Sequence, residues 1–447
     1  MVDLFAGCGG LSLGFENSGF TPVFVNELNH DALHTYLHNR HHELGGLSFG
    51  ENSALHCNDA HELQGKRLQQ LRADLANLRE LSFAMEKGAL PKNGAGSNLD
   101  IIAGGPPCQG YSGIGHRRSY SVDKKDLPSN HLYGRMAEII SSLRPRIFLF
   151  ENVRGLLNSK WTKEGDALIW PDVLAEFRCI PGYEVRWKLV HARDYGVPQN
   201  RPRVLMVGIR KDIVAANSRL NLEAHPDDAT LCGFLPPPAF HKYPHLEDLL
   251  GDLVDPRISD ILRSGHIPRG PLETLLYPHP AKTLIQRHLR ARPDFWPQGV
   301  PVPLTDHEYS KHKSNIVSKF DAMHKSGGEI PLHQRTRKFS QRLLPARWGE
   351  QGPTITATSM PDDYVHHSQP RILTVREWAR LQLFPDWYQF KGKRTTGGLR
   401  RAGNPKEGLF EREAPKYTQI GNAVPVGLAE KVAAHLREIL DEALKGG

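Results

Sequence analysis

The sequence predicts an α/β fold, a mostly parallel sheet covered on both faces, joined to a smaller and irregular second region. Three observations carry this prediction. Short apolar runs alternate with helix-like segments through the first 210 residues. After Arg210 the alternation is lost, and proline, histidine and arginine become frequent. Regular patterning then returns at Thr374–Leu383 and in a last helix from Val426 to Leu440. The expected divisions are therefore 1–210, 211–370 and 371–447, the last returning to the first domain.

The elements follow in order. Val23–Asn26, Ile101–Ala103, Ile147–Phe150 and Arg203–Gly208 read as short strands, and continuous apolar runs of this length suit a sheet buried on both faces. Asp31–His41 and Arg135–Leu143 read as intervening helices. Between Glu62 and Lys87, leucines at 68, 71, 75, 78 and 81 keep helical spacing, the mark of a helix packed along one stripe. The last helix carries Leu428, Val432, Leu436, Ile439 and Leu440 on its apolar side.

Composition narrows the partners. The 447 residues carry a formal charge of +8, which favours a polyanionic partner. From Lys311 to Arg347 nine Lys or Arg residues face two acids, Asp321 and Glu329, and this stretch reads as a nucleic-acid surface. Five scattered cysteines without a Cys-x-x-Cys pair argue against a zinc module or a disulfide scaffold and fit a reducing cytoplasm. The first residues show no secretory-signal pattern, and no run is apolar enough to span a membrane.

The segments that carry chemistry sit at strand ends, where open α/β sheets bind their ligands. Gly104-Gly105-Pro106-Pro107-Cys108-Gln109 leaves a strand on a stiff turn, which places Cys108 as a nucleophile rather than as buried filler. Asp3-Leu4-Phe5-Ala6-Gly7-Cys8-Gly9-Gly10 is a strand end followed by a glycine turn open to a close-lying ligand. It is neither the dinucleotide fingerprint nor a Walker loop. Glu27 can accept from ribose hydroxyls and Asp59 from an adenine amine. Glu151-Asn152-Val153 ends an apolar strand, where a carboxylate must be paired, and Glu151 can serve as a proton donor. Arg201 and Arg203, two residues apart as a strand begins, can grip an acidic group or a nucleotide.

Together these segments resemble the DNA cytosine-5 methyltransferase family of the prokaryotic modification type, from the first residues to Val426 except for a variable middle. The resemblance implies a Rossmann-like S-adenosylmethionine-dependent methyltransferase fold with a target-recognition region. It makes Cys108 the nucleophile of the Pro-Cys-Gln motif, Glu151 the acid of Glu-Asn-Val, and Arg203 a residue that holds the flipped cytosine, with Gln199 and Arg201 completing that motif. Asp3, Phe5, Gly7, Gly9, Glu27, Asp59, Pro107, Asn422 and Val424 become cofactor-binding residues. Arg376-Glu377-Trp378-Ala379-Arg380-Leu381-Gln382 resembles the element supporting target recognition. Leu28 stands where many relatives carry an aromatic residue. The loop Ser112–Asn130 holds Arg117 and Arg118, which with Lys311, Lys313, Arg335, Arg337 and Lys338 are the expected DNA contacts.

The implied reaction moves a methyl group from S-adenosylmethionine to C5 of cytosine in a specific duplex sequence, through a cysteine–C6 adduct and base flipping. It requires no metal. Alternatives are methylation of transfer RNA, whose subgroup signature Cys-Phe-Thr is absent, and a catalytically silent DNA-binding protein, which intact Cys108, Glu151 and Arg203 disfavour. The remaining expectations are a monomer in a prokaryotic cytoplasm, near the nucleoid, with a restriction or phage-defence system as partner.

Overall fold

The computed structural model describes residues 1–44, 46–85, 99–107, 125, 128–162, 164–238, 244–335, 341–347, 353–355, 361–396 and 413–445. Cys108, Arg117, Arg118, Arg337 and Lys338 lie outside the described residues. The chain forms two compact units, one of residues 1–191, 202–239 and 428–447, the other of residues 192–201 and 240–427. These bounds differ from the breaks expected at 211 and 371. Residues 371–427 belong with the second unit because buried side-chain bonds tie Arg371, Arg376 and Arg380 into it.

The first unit is built on seven strands: β1 (Val2–Leu4), β2 (Phe24–Asn26), β3 (His56–Cys57), β4 (Ile101–Gly104), β5 (Ile147–Val153), β6 (Tyr183–His191) and β7 (Pro202–Arg210). Their order across the sheet is β3-β2-β1-β4-β5-β7-β6. The first five run parallel, while β7 pairs antiparallel with both β5 and β6. The sheet is thus parallel only up to β5. The edge strand β6 is missing from the expected set although Tyr-Glu-Val-Arg-Trp-Lys alternates as half-buried strands do.

Apolar residues on successive positions go to opposite faces, so Phe24 joins one core cluster with Val2, Leu4 and Phe148, and Val25 joins another with Leu33 and Tyr36. Both faces are therefore covered, as expected. One register contact fixes a residue that periodicity does not. Gly208 stands opposite Phe148, and a Cβ there would lie 2.0 Å from the Phe148 ring.

Helices α1 (Gly10–Glu16), α2 (His30–His38), α3 (Gly65–Met85), α4 (Leu132–Leu143) and α5 (Ile169–Arg178) follow along the chain in this unit. In α3, Leu68 and Leu71 are buried in the main core and Leu75 packs against it, so the leucine stripe is a packing face. In α4, Met136, Ile139, Ile140 and Leu143 are buried at helical spacing, and the chain stops at Arg144 (φ 51°) before Pro145. Among the described residues, no helix is long and apolar enough to cross a membrane.

The second unit is irregular, and polar groups fill much of its interior. Its helices include α6 (Pro256–Ser264), α7 (Leu284–Leu289), α8 (Ser314–Lys325), α9 (Val375–Arg380) and α10 (Lys416–Asn422). Arg371 bonds Glu377 with two contacts of 2.7 Å, and the Arg376 guanidinium reaches the carbonyls of Thr305, Pro385 and Tyr388. His307 lies among them as a neutral ring. Its Nε2 donates to the Leu253 carbonyl (3.0 Å), and its Nδ1 accepts from the Thr374 hydroxyl (2.9 Å).

This interior predicts acid sensitivity. Burial pushes His307, His312 and His367 down to about 4 and His366 to about 3. An unfolded chain protonates these rings near 6.5 while the folded chain keeps them neutral, so stability falls as pH drops from about 6.5 toward 4. Glu377 and Asp386, whose folded values are lowered, extend the loss only below their ordinary 4.5 and 3.8. Hydrogen exchange of segments 305–312 and 364–374, corrected for intrinsic rates, should show protection declining through that window. Flat protection from pH 7 to 4.5 would contradict it.

Candidate active site

The strand ends of the first unit build one half of the site. After β1 the chain turns through Phe5 (φ 56°), Gly7 (φ 58°) and Gly9 (φ 86°), left-handed positions that glycine tolerates best. Phe5, the exception, is held by Asn26. Asn26 Oδ1 accepts from Phe5 N (3.3 Å), and its Nδ2 donates to the carbonyls of Cys57 and Asn58, each at 3.0 Å. One buried amide therefore ties the ends of β1, β2 and β3. Asn26 is absent from the expected site, although a polar residue closing the apolar run Val23–Asn26 is its signal.

Glu27 follows directly. Its two carboxylate oxygens accept from Gly7 N and Asn29 N, both at 2.8 Å. Burial pushes the carboxyl up, and the two backbone bonds work against that rise. Beside it Leu28 is 73 % exposed, an apolar side chain left in water next to an acid. A Cβ at Gly7 would meet nothing within 4 Å, so the turn opens onto free space. Asp59, half-buried beyond β3, accepts from His61 N (2.9 Å). Two carboxylates with lone pairs to spare, an exposed apolar surface and an open glycine turn suit the ribose and flat base of a nucleoside.

Asp3 belongs elsewhere. Its side chain is fully buried, one oxygen accepting from the Ser12 hydroxyl, which also lies 2.9 Å from the Tyr36 hydroxyl. Burial raises Asp3 to about 7, with the Ser12 bond opposing. In place of the direct ligand contact expected of it, Asp3 anchors α1 and α2 to the sheet.

The other half of the site lies at the ends of β4 and β5. Pro106 and Pro107 follow β4, and Asn152 Nδ2 donates to the Pro106 carbonyl (3.1 Å), fixing the turn to the end of β5. Glu151 pairs with Arg203, Nε to Oε1 at 2.5 Å, with both side chains nearly buried. The register explains the meeting. Arg203 stands opposite Val153, one diagonal step from Glu151 on the same face. Gly105 leaves room for the carboxylate, since a Cβ there would come within 2.6 Å of Glu151 Oε2. Pro107 is exposed. Where the described chain resumes, Lys125 is anchored by its backbone to Trp161 O (3.3 Å) and His131 Nε2 (2.6 Å).

The remaining expected residues lie in the second unit. Arg201 does not share Arg203's task, because β7 begins only at Pro202 and the two side chains go to different units. Its guanidinium, fully buried, donates to the carbonyls of Ile355, Gly421 (2.7 Å) and Asn422 (3.3 Å). Gln199 donates to Leu381 O (2.8 Å) and Gln382 Oε1 (2.7 Å), and Gln382 donates on to Ile420 O (2.7 Å). Three motifs distant in sequence are thereby knitted together, with Arg201 as a positioning residue. Asn422 is exposed at the end of α10, and Val424 is buried.

Among the expected DNA contacts, Lys313 is exposed, and Arg335 is exposed with Nε donating to Ile330 O (2.9 Å). Lys311 is committed elsewhere. Its ammonium donates to the carbonyls of Pro268, Arg269 and Gly270 at 2.7 to 3.2 Å, closing that loop.

The family model for C-5 cytosine-specific DNA methylase matches residues 1–75 and 84–438. The chain belongs to the C-5 cytosine-specific DNA methylase family, in its prokaryotic type. Among its relatives, Type II methyltransferase M.DdeI of Desulfomicrobium norvegicum is 29% identical, covering 98% of this chain and 88% of that protein. M.BspRI of Lysinibacillus sphaericus is 29% identical over 100% and 83% of the two chains. M.BsuRI of Bacillus subtilis is 28% identical over 97% and 78%. The fold matches a crystal structure described as a DNA modification methyltransferase encoded within an E. coli prophage, at TM-score 0.59 and 21% identity, over 98% and 99% of the chains. Membership of this methylase family makes the chain an S-adenosylmethionine-dependent methyltransferase acting on cytosine C5 in DNA.

Proposed function

We propose that this methylase modifies one cytosine within a specific duplex sequence, through a covalent bond from Cys108 to C6 of a base swung out of the helix. The observation that carries the reading is Glu151, paired with Arg203 and given room by Gly105 at the end of β5, beside the proline turn that leads into Cys108. C5 of cytosine is too weak a nucleophile to take a methyl group unaided. Addition of the Cys108 thiolate to C6 moves an electron pair toward N3, where Glu151 holds a proton. Arg203 keeps that carboxyl group in one orientation, and C5 becomes the nucleophilic carbon of an enamine. S-adenosylmethionine, when bound, supplies an electrophilic methyl group on a sulfonium. Transfer of the C5 proton to a base, departure of the Cys108 sulfur as thiolate and return of the N3 proton to the Glu151 carboxylate then restore the aromatic ring.

The residues present fit that donor. Glu27 and Asp59 would take ribose and adenine, Leu28 would cover a base face, and Phe5, Gly7, Gly9 and Pro107 would leave the backbone accessible. Asn422 and Val424 are assigned to the same ligand by their motif alone. Lys313, Arg335, Arg337, Lys338, Arg117 and Arg118 are assigned to DNA. The relatives' Type II names support a prokaryotic modification enzyme; a cytoplasmic monomer paired with a restriction or phage-defence system completes the proposal.

A duplex carrying 5-fluorocytosine tests the reading, because fluorine at C5 cannot leave as a proton does. In the presence of S-adenosylmethionine the protein should form a complex stable to denaturation, with the added mass on the peptide holding Cys108. Mass on another residue, or no complex on DNA that it otherwise methylates, would refute the adduct.

A further inference from the structure

In the second unit, α7 is mounted rigidly from within and left open outside. Thr283 and Gln286 form a reciprocal capping box, and the Thr283 hydroxyl donates to Asp248 O (2.8 Å). Gln286 and Leu289 are buried, and Asp386 N donates to Leu289 O (2.7 Å). Next to the helix, Arg290 stacks on the Tyr277 ring at 3.5 Å and reaches His279 O (3.1 Å) and Asp252 (3.3 Å). Such bracing fixes the direction of the opposite face.

That face consists of Leu284, Arg287 and His288, spaced three and four apart so that they stand together. Leu284 is 81 % exposed, and Arg287 and His288 are exposed beside it. Arg287 Nη2 donates to Lys282 O (2.9 Å), which holds the guanidinium on the outer side. From His279 to Arg292 the chain carries Lys282, Arg287, Arg290 and Arg292 and no acidic residue. In the basic stretch from Lys311 onward, several of the described cations are already engaged. Lys311 closes a loop, Arg342 lies over the Tyr364 ring, and Arg347 faces Glu247.

We propose that the Leu284–Arg287–His288 face lies in a groove of duplex DNA and helps to choose the sequence that is methylated. The proposal rests on the DNA-methylation reading above. Its chemistry matches base edges. A guanidinium fork donates to guanine O6 and N7, an imidazole can donate or accept, and a leucine side chain packs on the thymine methyl. Lys282, exposed on the flank, suits a phosphate.

Full-length Arg287→Gln, Leu284→Ala and Lys282→Gln variants test this, with bisulfite sequencing of a randomised duplex library and salt-titrated binding as readouts. Arg287→Gln should relax the preference at one or two base pairs by about 5- to 150-fold, with S-adenosylmethionine affinity kept. Leu284→Ala should weaken selection of thymine at one position. Lys282→Gln should lower affinity for all sequences alike and flatten the salt slope by about one unit. Unchanged base preference in both Arg287→Gln and Leu284→Ala would overturn the proposal. So would unchanged preference together with an altered oligomeric state in light scattering, which would assign the face to protein contact. Absence of any cytosine mark by the wild type would overturn the underlying reading as well, so the two failures are distinguishable.

Discussion

Glu151→Gln is expected to bind duplex DNA and S-adenosylmethionine as the wild type does, and to transfer methyl about 10²–10⁴-fold more slowly. The substitution keeps size and polarity but removes the group that can hold a proton at cytosine N3. Because that interaction strengthens only as negative charge develops on the ring, its loss should fall on the chemical step rather than on binding. Two further variants separate proton handling from scaffolding. Arg203→Lys keeps a cation but loses the planar guanidinium whose Nε now lies 2.5 Å from the Glu151 carboxylate, so it should lie between wild type and Arg203→Met. Gly105→Ala removes neither group, yet its Cβ would displace a carboxylate oxygen only 2.6 Å away. It should lower single-turnover rate while leaving Glu151 chemically intact. Single-turnover methylation and anisotropy titrations on one duplex decide the matter, and equal losses of rate and affinity in Glu151→Gln would make the residue a scaffold.

The parts of this site legible in the sequence are those where one residue type meets one backbone position. Glu27 and Glu151 could be read because a carboxylate directly after an apolar strand must have a partner and a reason. The glycine turn was legible for a similar reason, since positive φ at Gly7 and Gly9 tolerates few other residues. What could not be read depends on long-range register. Arg201 and Arg203 look equivalent in sequence, yet one residue before the strand sends a side chain into a different unit from one within it. Lys311 counts as one more charge until the carbonyls of residues 268–270 are seen to take it up. Asn26 was hidden because its value lies in three partners, from strands about 20 and 30 residues away in the chain.

The largest loss of stability is expected from Arg380→Met. Arg380 is fully buried and contacts Asp252 and Asp386, each at 2.6 Å, together with the Leu249 carbonyl at 2.8 Å. Burial on its own would push Asp386 up, but the Arg380 charge and hydrogen bonds outweigh it and hold the carboxyl below its usual range. Methionine fills much of the volume and leaves two buried carboxylates without that cation. Breaking a buried pair from one side costs about 3–5 kcal/mol, more than a well-packed apolar replacement of the whole cluster would. The pH dependence distinguishes charge loss from poor packing. Asp386 with a lowered folded value contributes stability above its ordinary 3.8 and loses it as pH falls through the folded value. The gap between wild type and Arg380→Met should therefore be full near neutral pH and narrow below about pH 4. Adding Asp252→Asn and Asp386→Asn should recover part of the loss at neutral pH, since neutral amides are cheaper to bury than unpaired carboxylates. Denaturant unfolding at pH 7 and pH 3.5 measures both effects, and a gap that stays constant between them would place the loss in packing rather than in charge.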